Sequence, residues 1–543
     1  MTLAEVKIRR APILVLGAVV IFSFVLFYLT RHFSFFFDEW DFLRGAHGWG
    51  IRDYFVPHSE HWSTLPKLWY AALLRLNGGH SYAPFMAGVL AVHGTVVVLL
   101  FLLVRQRAGD LLALGAAAAM LVLGNGYENL LWGFQISFDA SVAFGLLAAL
   151  LLESPDATWK RRVLASAALL CSLMCSGVGL FWFAALFVDL LIEPARRRRL
   201  DVLVLPGLAY AIWFIWFGRA PVATHPLSLQ TLVSVGPFVA FGLGSAAAGL
   251  LGPSQRWGEL ALAGWSVALG AHLAHLDWRF ARRILGPLAG VFTQFVLTGL
   301  TRGELGTAEA GASRYLYVAA PFMLLMATEM LARAKPRGAW GLMAAVLLTL
   351  SVTLNVHELA KQIEAKNAFF GVQSTELRFV WLVRDAPSFA PAAVIDPAIN
   401  PNLTAARYVA VRSTWGSDLK PLLKTQLAGL DAAPLAGVAA AVLPTQVTTS
   451  AALTQRRSEC QSTVPGGTNV TLPDGGTAAI YASQGTVVDV RVSPGGNDVG
   501  PTVATVAMGQ GSQALVSLPD SGLGLLWHLN VSAPSYAPAQ VCH

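Results

Sequence analysis

The chain has 543 residues, 55% hydrophobic and only 13% charged, with a mean hydropathy of +0.56. Soluble globular domains carry roughly 25% charged residues, so much of this chain has lipid as its solvent and it reads as an integral membrane protein. The net charge of +7 calls for no nucleic-acid partner, because the cations gather in short clusters beside apolar stretches, as cytoplasmic loops do.

Taken in chain order, the first span is expected at 11–30, directly after "KIRR" at 7–10. It lacks a small-residue cleavage site and exceeds a typical signal core, so a retained helix with a cytoplasmic N-terminus is expected. Further spans are expected at 83–104, 110–125, 138–153, 163–176, 177–193, 201–217, 231–251, 259–277, 284–300, 315–333 and 338–356. The pair 163–193 is short for two spans, and "CSGVG" supplies small residues for a tight turn between them.

The other basic clusters stand at 105–107, 160–162, 196–199, 279–283 and 333–337. If all face the cytoplasm, an even number of crossings separates consecutive clusters. The rule fails only between 199 and 279, where three apolar segments lie. The weakest is "LVSVGPFVAFGLGSAAAGLLG" at 231–251, with an internal proline and a small-residue half. It is expected to be re-entrant or interfacial on the outer side. The other eleven segments then cross. Residues 31–82, 126–137, 218–258, 301–314 and 357–543 come to lie outside, and the extracytoplasmic side is the working side.

The expected fold is thus a polytopic α-helical membrane protein of about 11 spans over 1–356. An extracytoplasmic α/β connecting region at 357–444 and an extracytoplasmic β-sandwich-like domain at 445–543 follow. The last carries short alternating runs such as "GTVVDVRV", separated by "DGG" and "PGG" turns. Cys460 and Cys542 flank it and can pair as a disulfide in an oxidising compartment. Cys171 and Cys175, one turn apart in an apolar helix, read as small packing residues.

Three outer loops carry candidate chemistry. "FSFFFDEWDF" places Asp38 and Glu39 at the exit of the first span, where carboxylates are poor orientation anchors. The same loop holds His58, Glu60, His61 and Lys67, which could supply a general base and hydrogen-bond donors. His58 and His61 would share a face on a helix. With Asp38 or Glu39 they could hold a divalent ion such as Mg²⁺ or Mn²⁺, although no established zinc spacing is met. In "GNGYENLLWGFQISF", Glu128, Asn129, Trp132 and Gln135 recur at helical spacing among aromatics, which suits a sugar face and its hydroxyls and equally an interface belt. In "GASRYLYVAAPF", Arg314 stands beside Tyr315 against the positive-inside bias. It needs an anion, either a phosphate at the membrane surface or a nearby Glu304 or Glu309.

Together these stretches resemble the C-type glycosyltransferase superfamily, multi-spanning enzymes that take sugars from polyprenyl-phosphate or related lipid carriers. "FDEWDF" is similar to the first-loop motif of protein O-mannosyltransferases and to the Asp-Glu of lipid-A aminoarabinose transferases. "CSGVGL" and the late "SRY" before a span are similar to parts of the same superfamily, and "H-x-E-H" and "YENLLWGFQ" to uncharacterised bacterial members. The likeness covers roughly residues 11–356 and departs from the mannosyltransferases in placing its soluble domain at the C-terminus. It implies a membrane glycosyltransferase, inverting at the anomeric carbon, in the plasma membrane. Its partners would be a polyprenyl-phosphate sugar donor and a cell-envelope glycan, lipid or protein acceptor. Asp38 would be the base, Glu39 an orienting or alternate base, and Arg314 with Lys67 the phosphate grip. His58, Glu60 and His61 would line the sugar pocket. The competing reading is a transporter or lipid flippase, for which His272 and His275 are the best intramembrane polar residues.

Overall fold

A computed structural model describes residues 7–154, 158–219, 228–252, 257–273, 278–335, 338–450, 459–464, 466–494 and 500–543. The chain divides into two units. One comprises residues through His32, Gly48–Leu73 and Ala83–Lys366; the other comprises Phe33–His47, Leu74–Tyr82 and Asn367–His543. The expected contiguous boundary at 356 is therefore replaced by a woven one, because the Asp38 loop packs with the C-terminal half.

The first unit is helical. Among the described residues, eight helices are long and apolar enough to cross a membrane, or nine if one bent pair is a single span. Eleven had been expected. Trp159–Cys175 and Val178–Ile192 fall short of the span length, as does Gly258–Leu273, the described part of the segment expected at 259–277. Leu229–Leu251 takes a place among the eight, and the segment expected at 110–125 breaks. There Asp110–Leu121 and Gly124–Leu131 meet at 47°. Gly124 allows the break, since a Cβ would stand 2.0 Å from the Asn355 carbonyl oxygen. The Asn355 side chain accepts from the Asn125 N–H at 3.2 Å, satisfying backbone that the break frees.

The first helix, Ala11–Leu29, buries little of itself and leaves Ile13, Val20, Ile21 and Phe24 exposed. Such a surface suits lipid. The expected tight turn joins Trp159–Cys175 to Val178–Ile192 through Ser176 and Gly177. Gly179 permits it, because a Cβ there would come within 2.5 Å of the Leu173 nitrogen.

Two polar ends frame this bundle. At one end Glu153 accepts from Arg107 at 2.8 Å and Arg282 at 3.0 Å, and Asp189 accepts from Arg282 at 3.0 Å and Arg196 at 2.8 Å. Arg283 reaches Glu153 and Glu329. The basic clusters expected in cytoplasmic loops are thus partly spent on a buried ion network. Arg302 stands at the far end of Trp278–Arg302, roughly 30 Å away at about 1.5 Å per residue.

The segment expected to stop short of crossing is an unbroken helix, Leu229–Leu251, long and apolar enough to span. Thr231 donates to Glu304 at 2.9 Å just past Arg302, and Gly242 lies against Phe295. At its other end the Gly249 carbonyl accepts from Asn125 and Asn355, and Gly249 lies against Leu316, three residues into Ser313–Ala334. Its first turn thus meets the end of Trp278–Arg302, and its last turn meets the start of Ser313–Ala334.

The second unit holds the polar half of the long helix Ala339–Val383, the helices Ala405–Trp415 and Ala432–Val442, and nine described strands. The strands are β1 (Gln446–Ser450), β2 (Cys460–Ser462), β3 (Thr468–Pro473), β4 (Thr477–Ala482), β5 (Thr486–Pro494), β6 (Thr502–Met508), β7 (Gln513–Ser517), β8 (Leu526–Ser532) and β9 (Ala539–Cys542). They form two antiparallel sheets, ordered β1-β7-β4-β9-β2 and β3-β8-β5-β6. The expected alternation is realised in β3, which buries every second residue. Cys460 and Cys542 face each other in the β2–β9 register and are disulfide-bonded.

Candidate functional site

In the second unit the aromatic run before Asp38 is packed into protein. Phe33 packs at a tilt on Phe370 at 4.6 Å, and Phe36 and Phe35 meet Phe369 and Tyr82 edge-to-face at 5.4 and 4.9 Å. Only Phe37 of the four rings is exposed. The run forms a hydrophobic core and not a lipid-facing belt.

Glu39 is fully buried. One carboxylate oxygen accepts from the Phe36 N–H at 3.0 Å, and both accept from the Tyr82 hydroxyl, at 3.1 and 3.2 Å. It ties the loop to itself. Asp38 precedes the helix Glu39–Ala46 without capping it through its side chain, and is half-buried. It lines a small cleft with Asp41, Arg44, Asn402 and Arg407. Of the two neighbouring carboxylates, only Asp38 borders an open space.

The remaining candidates belong to the first unit. His58 and His61 do not share a helix face. They close a tight turn, exchanging backbone hydrogen bonds at 3.1 and 3.0 Å around Ser59, whose φ of 51° is left-handed. The His61 Nδ1 accepts from the Gly177 N–H at 3.3 Å, which docks this turn on the start of Val178–Ile192. Glu60 at the tip pairs with Arg302 at 2.9 Å. Burial raises the Glu60 carboxyl, but His61 and Arg302 outweigh it and hold it below its ordinary value.

Lys67 is buried inside its own loop. Its Nζ donates to the carbonyls of Asp53 and Val56 at 2.8 and 2.7 Å, and burial lowers its pKa to about 8. That ammonium staples the loop and does not reach out for a ligand.

The helical spacing of 128–135 is interrupted. Tyr127–Leu131 is a short helix, Trp132 is extended, and Gly133–Gln135 is a 3₁₀ turn. Asn129 turns inward and donates to Asp139 at 2.7 Å; Trp132 packs on Phe134 at 5.3 Å; Gln135 is buried. Glu128 alone turns to Arg314, accepting from its Nη1 at 3.3 Å, while Arg314 also pairs with Glu309.

Of the expected residues, Glu60, His61, Arg314 and Tyr315 line one cavity of about 790 Å³ in the first unit, and His58 and Glu128 do not. Its walls are mostly apolar, including Phe138, Phe181, Tyr210 and Phe214, and its polar side carries Glu60, His61, Gln294, Arg302, Arg314 and Tyr315. The volume lies in the range of small-molecule sites. Asn129, Trp132, Gln135 and Lys67 are not among the lining residues. Arg302 and Gln294 were missed from sequence. Arg302 carries the same signal as Arg314, a cation at the end of a span away from the basic clusters. Gln294, whose amide donates to the Tyr315 carbonyl at 2.7 Å, carries none.

Among the described residues no three His, Cys, Asp or Glu side chains converge as a metal site. His58 and His61 instead face Phe134 and Phe138, at 5.2 and 5.5 Å. Nothing is described of the His272 side chain, and His275 lies outside the described residues. Comparison with protein-family models, curated proteins and solved structures yields no match to this chain.

Proposed function

We propose that the chain is a membrane glycosyltransferase that moves a sugar from a polyprenyl-phosphate carrier to a hydroxyl on a cell-envelope acceptor. The observation that carries this reading is the cavity's composition: apolar walls between helices with two guanidiniums at the polar side. An amphipathic donor has that division, an isoprenoid tail ending in a phosphate. The reading places the polar end and the C-terminal sheets outside the plasma membrane.

In the proposed reaction Asp38 takes the proton of the acceptor hydroxyl, and the hydroxyl oxygen bonds to the anomeric carbon. The bond from that carbon to the phosphate oxygen breaks, and the electron pair leaves with the phosphate. Attack opposite the leaving group inverts the anomeric centre. Arg314, with Arg302 in the role first expected of Lys67, stabilises the charge that grows on the phosphate. The donor phosphate competes for these guanidiniums with Glu60, Glu128 and Glu309, which hold them in place beforehand. Glu39, committed to Phe36 and Tyr82, supports the loop.

A flippase remains the second reading, favoured by the bent pair Asp110–Leu121 and Gly124–Leu131, since broken helices mark many transport sites. Comparing lipid-linked sugars and envelope glycans in cells with and without the chain tests whether it acts on this route. Sugar transfer by the purified chain in detergent, where nothing has to cross a bilayer, separates the two. The enzyme reading expects donor to accumulate and one glycan linkage to vanish. Loss of neither would overturn it.

A further inference from the structure

Phe37, immediately before Asp38, has φ 52°. A bulky residue in the left-handed region is an outlier that its surroundings must hold. Two amide side chains do so from far along the chain. The Phe37 N–H donates to the Asn400 Oδ1 at 2.6 Å, the Asn400 Nδ2 donates to the Gln373 Oε1 at 3.0 Å, and the Gln373 Nε2 donates to the Phe35 carbonyl at 2.9 Å. The relay thus grips the strained turn on both sides of Phe36. Both amides are buried, Gln373 at 0% and Asn400 at 4% exposure, so the bonds are shielded from competing water.

Asn400 is itself fixed. Its N–H donates to the Asp396 carbonyl at 2.8 Å, and its carbonyl accepts from Leu403 at 3.0 Å. Gln373 sits on Ala339–Val383 one turn before Glu376, whose side chain hydrogen-bonds Asp396. The 396–400 segment is therefore docked on that helix at two successive turns.

We infer that Asn400 and Gln373 are positioning residues that lock the left-handed Phe37 turn and thereby fix the direction of the Asp38 carboxylate. This rests on Asp38 acting as the base in the proposed transfer. Released from the relay, Phe37 relaxes to an ordinary conformation and the following carboxylate is redirected. Misplacement of a reacting group by about 1 Å can cost on the order of a hundredfold in rate.

The test uses the full chain in lipid nanodiscs as wild type, Asn400→Ala, Gln373→Ala, Asn400→Asp, Phe37→Asn and the double variant Phe37→Asn/Asn400→Ala. Two readouts are taken on each. Hydrogen exchange of the 35–41 amides reports the clamp. Turnover of synthetic polyprenyl-phosphate hexoses and pentoses, with envelope extract as acceptor, reports its consequence. In Asn400→Ala and Gln373→Ala, exchange at 35–41 should rise while exchange in the β8 strand stays unchanged. The kcat should fall by about ten- to a hundredfold with donor KM little moved. Asn400→Asp keeps the acceptor for Phe37 and should fall between. Asparagine tolerates the left-handed region, so the double variant should recover turnover over Asn400→Ala. Unchanged exchange at 35–41 in Asn400→Ala would overturn the clamp whatever the activity. Raised exchange with unaltered kcat would overturn its positioning role. Raised exchange with no transfer by wild type would leave the clamp standing and count against the glycosyltransferase reading.

Discussion

Removing the Arg314 guanidinium should separate the cost to the fold from the cost to the reaction. Arg314 gives Nη1 to Glu128 at 3.3 Å and Nη2 to Glu309, and its side chain is 23% exposed. A partly exposed ion pair is worth up to about 1 kcal/mol, so losing two should cost the fold about 1–2 kcal/mol. If Arg314 stabilises a phosphate that gains charge as the sugar departs, Arg314→Ala should also raise the barrier by about 3 kcal/mol, a hundredfold or more in turnover. Arg314→Lys keeps the charge but offers a single point of contact, so it should lie between. The measurement is donor turnover at saturating donor, beside thermal unfolding in the same detergent. The loss should appear in kcat and not only in donor affinity. Near-normal turnover by Arg314→Ala, or a loss no larger than its loss of folded protein, would leave Arg314 as a clasp between Glu128 and Glu309.

Glu153→Ala leaves Arg107, Arg282 and Arg283 without a shared carboxylate and should destabilise the protein by about 3–5 kcal/mol, seen as a lower unfolding midpoint in detergent. Ala339–Val383 has 45 residues, more than a bilayer needs, and Glu376 lies in its polar half beyond the apolar stretch. Burial and the neighbouring Asp396 push Glu376 up to about 8 from 4.5. Its contribution to stability is therefore full below pH 4.5 and is lost as pH rises through about 8. Glu376→Gln should flatten that part of the stability–pH curve, and an unchanged slope would count against the pair. The Cys460–Cys542 bond closes a separation of 82 residues, so Cys542→Ser should lower the stability of the sheet region by about 4 kcal/mol in the chain-entropy model. Equal protease resistance of variant and wild type would contradict it.

Local signals carried much of the architecture. The membrane character, the "CSGVG" turn, the strand-rich C-terminus and its disulfide follow from hydropathy, small residues, period-two alternation and two flanking cysteines. The charge parity that set 231–251 apart meets an unbroken helix, Leu229–Leu251, long and apolar enough to span. What failed was whatever depends on distant partners. The helical spacing of His58 and His61 gave way to a turn closed by backbone bonds around Ser59. The apparent sugar-binding face at 128–135 turned inward, where Asn129 meets Asp139 and Trp132 packs on Phe134. Lys67 looked like a phosphate ligand until its own loop's carbonyls surrounded it. Asn400 carries no mark in sequence at all. Its role exists only because Phe37, 363 residues earlier, needs an acceptor.

The central claim is a chemical step at Asp38, and Asp38→Asn tests it most directly. Asparagine keeps the size of the side chain and removes its basicity. Wild-type protein in nanodiscs, given radiolabelled synthetic polyprenyl-phosphate sugars and envelope extract, should release polyprenyl phosphate in step with labelled acceptor. Asp38→Asn should fold and bind donor alike, yet lose about a hundredfold or more in transfer, the usual reach of a general base. Transfer by Asp38→Asn at the wild-type rate would contradict the account. So would a wild-type protein that carries the lipid across the bilayer with its sugar intact and labels no acceptor.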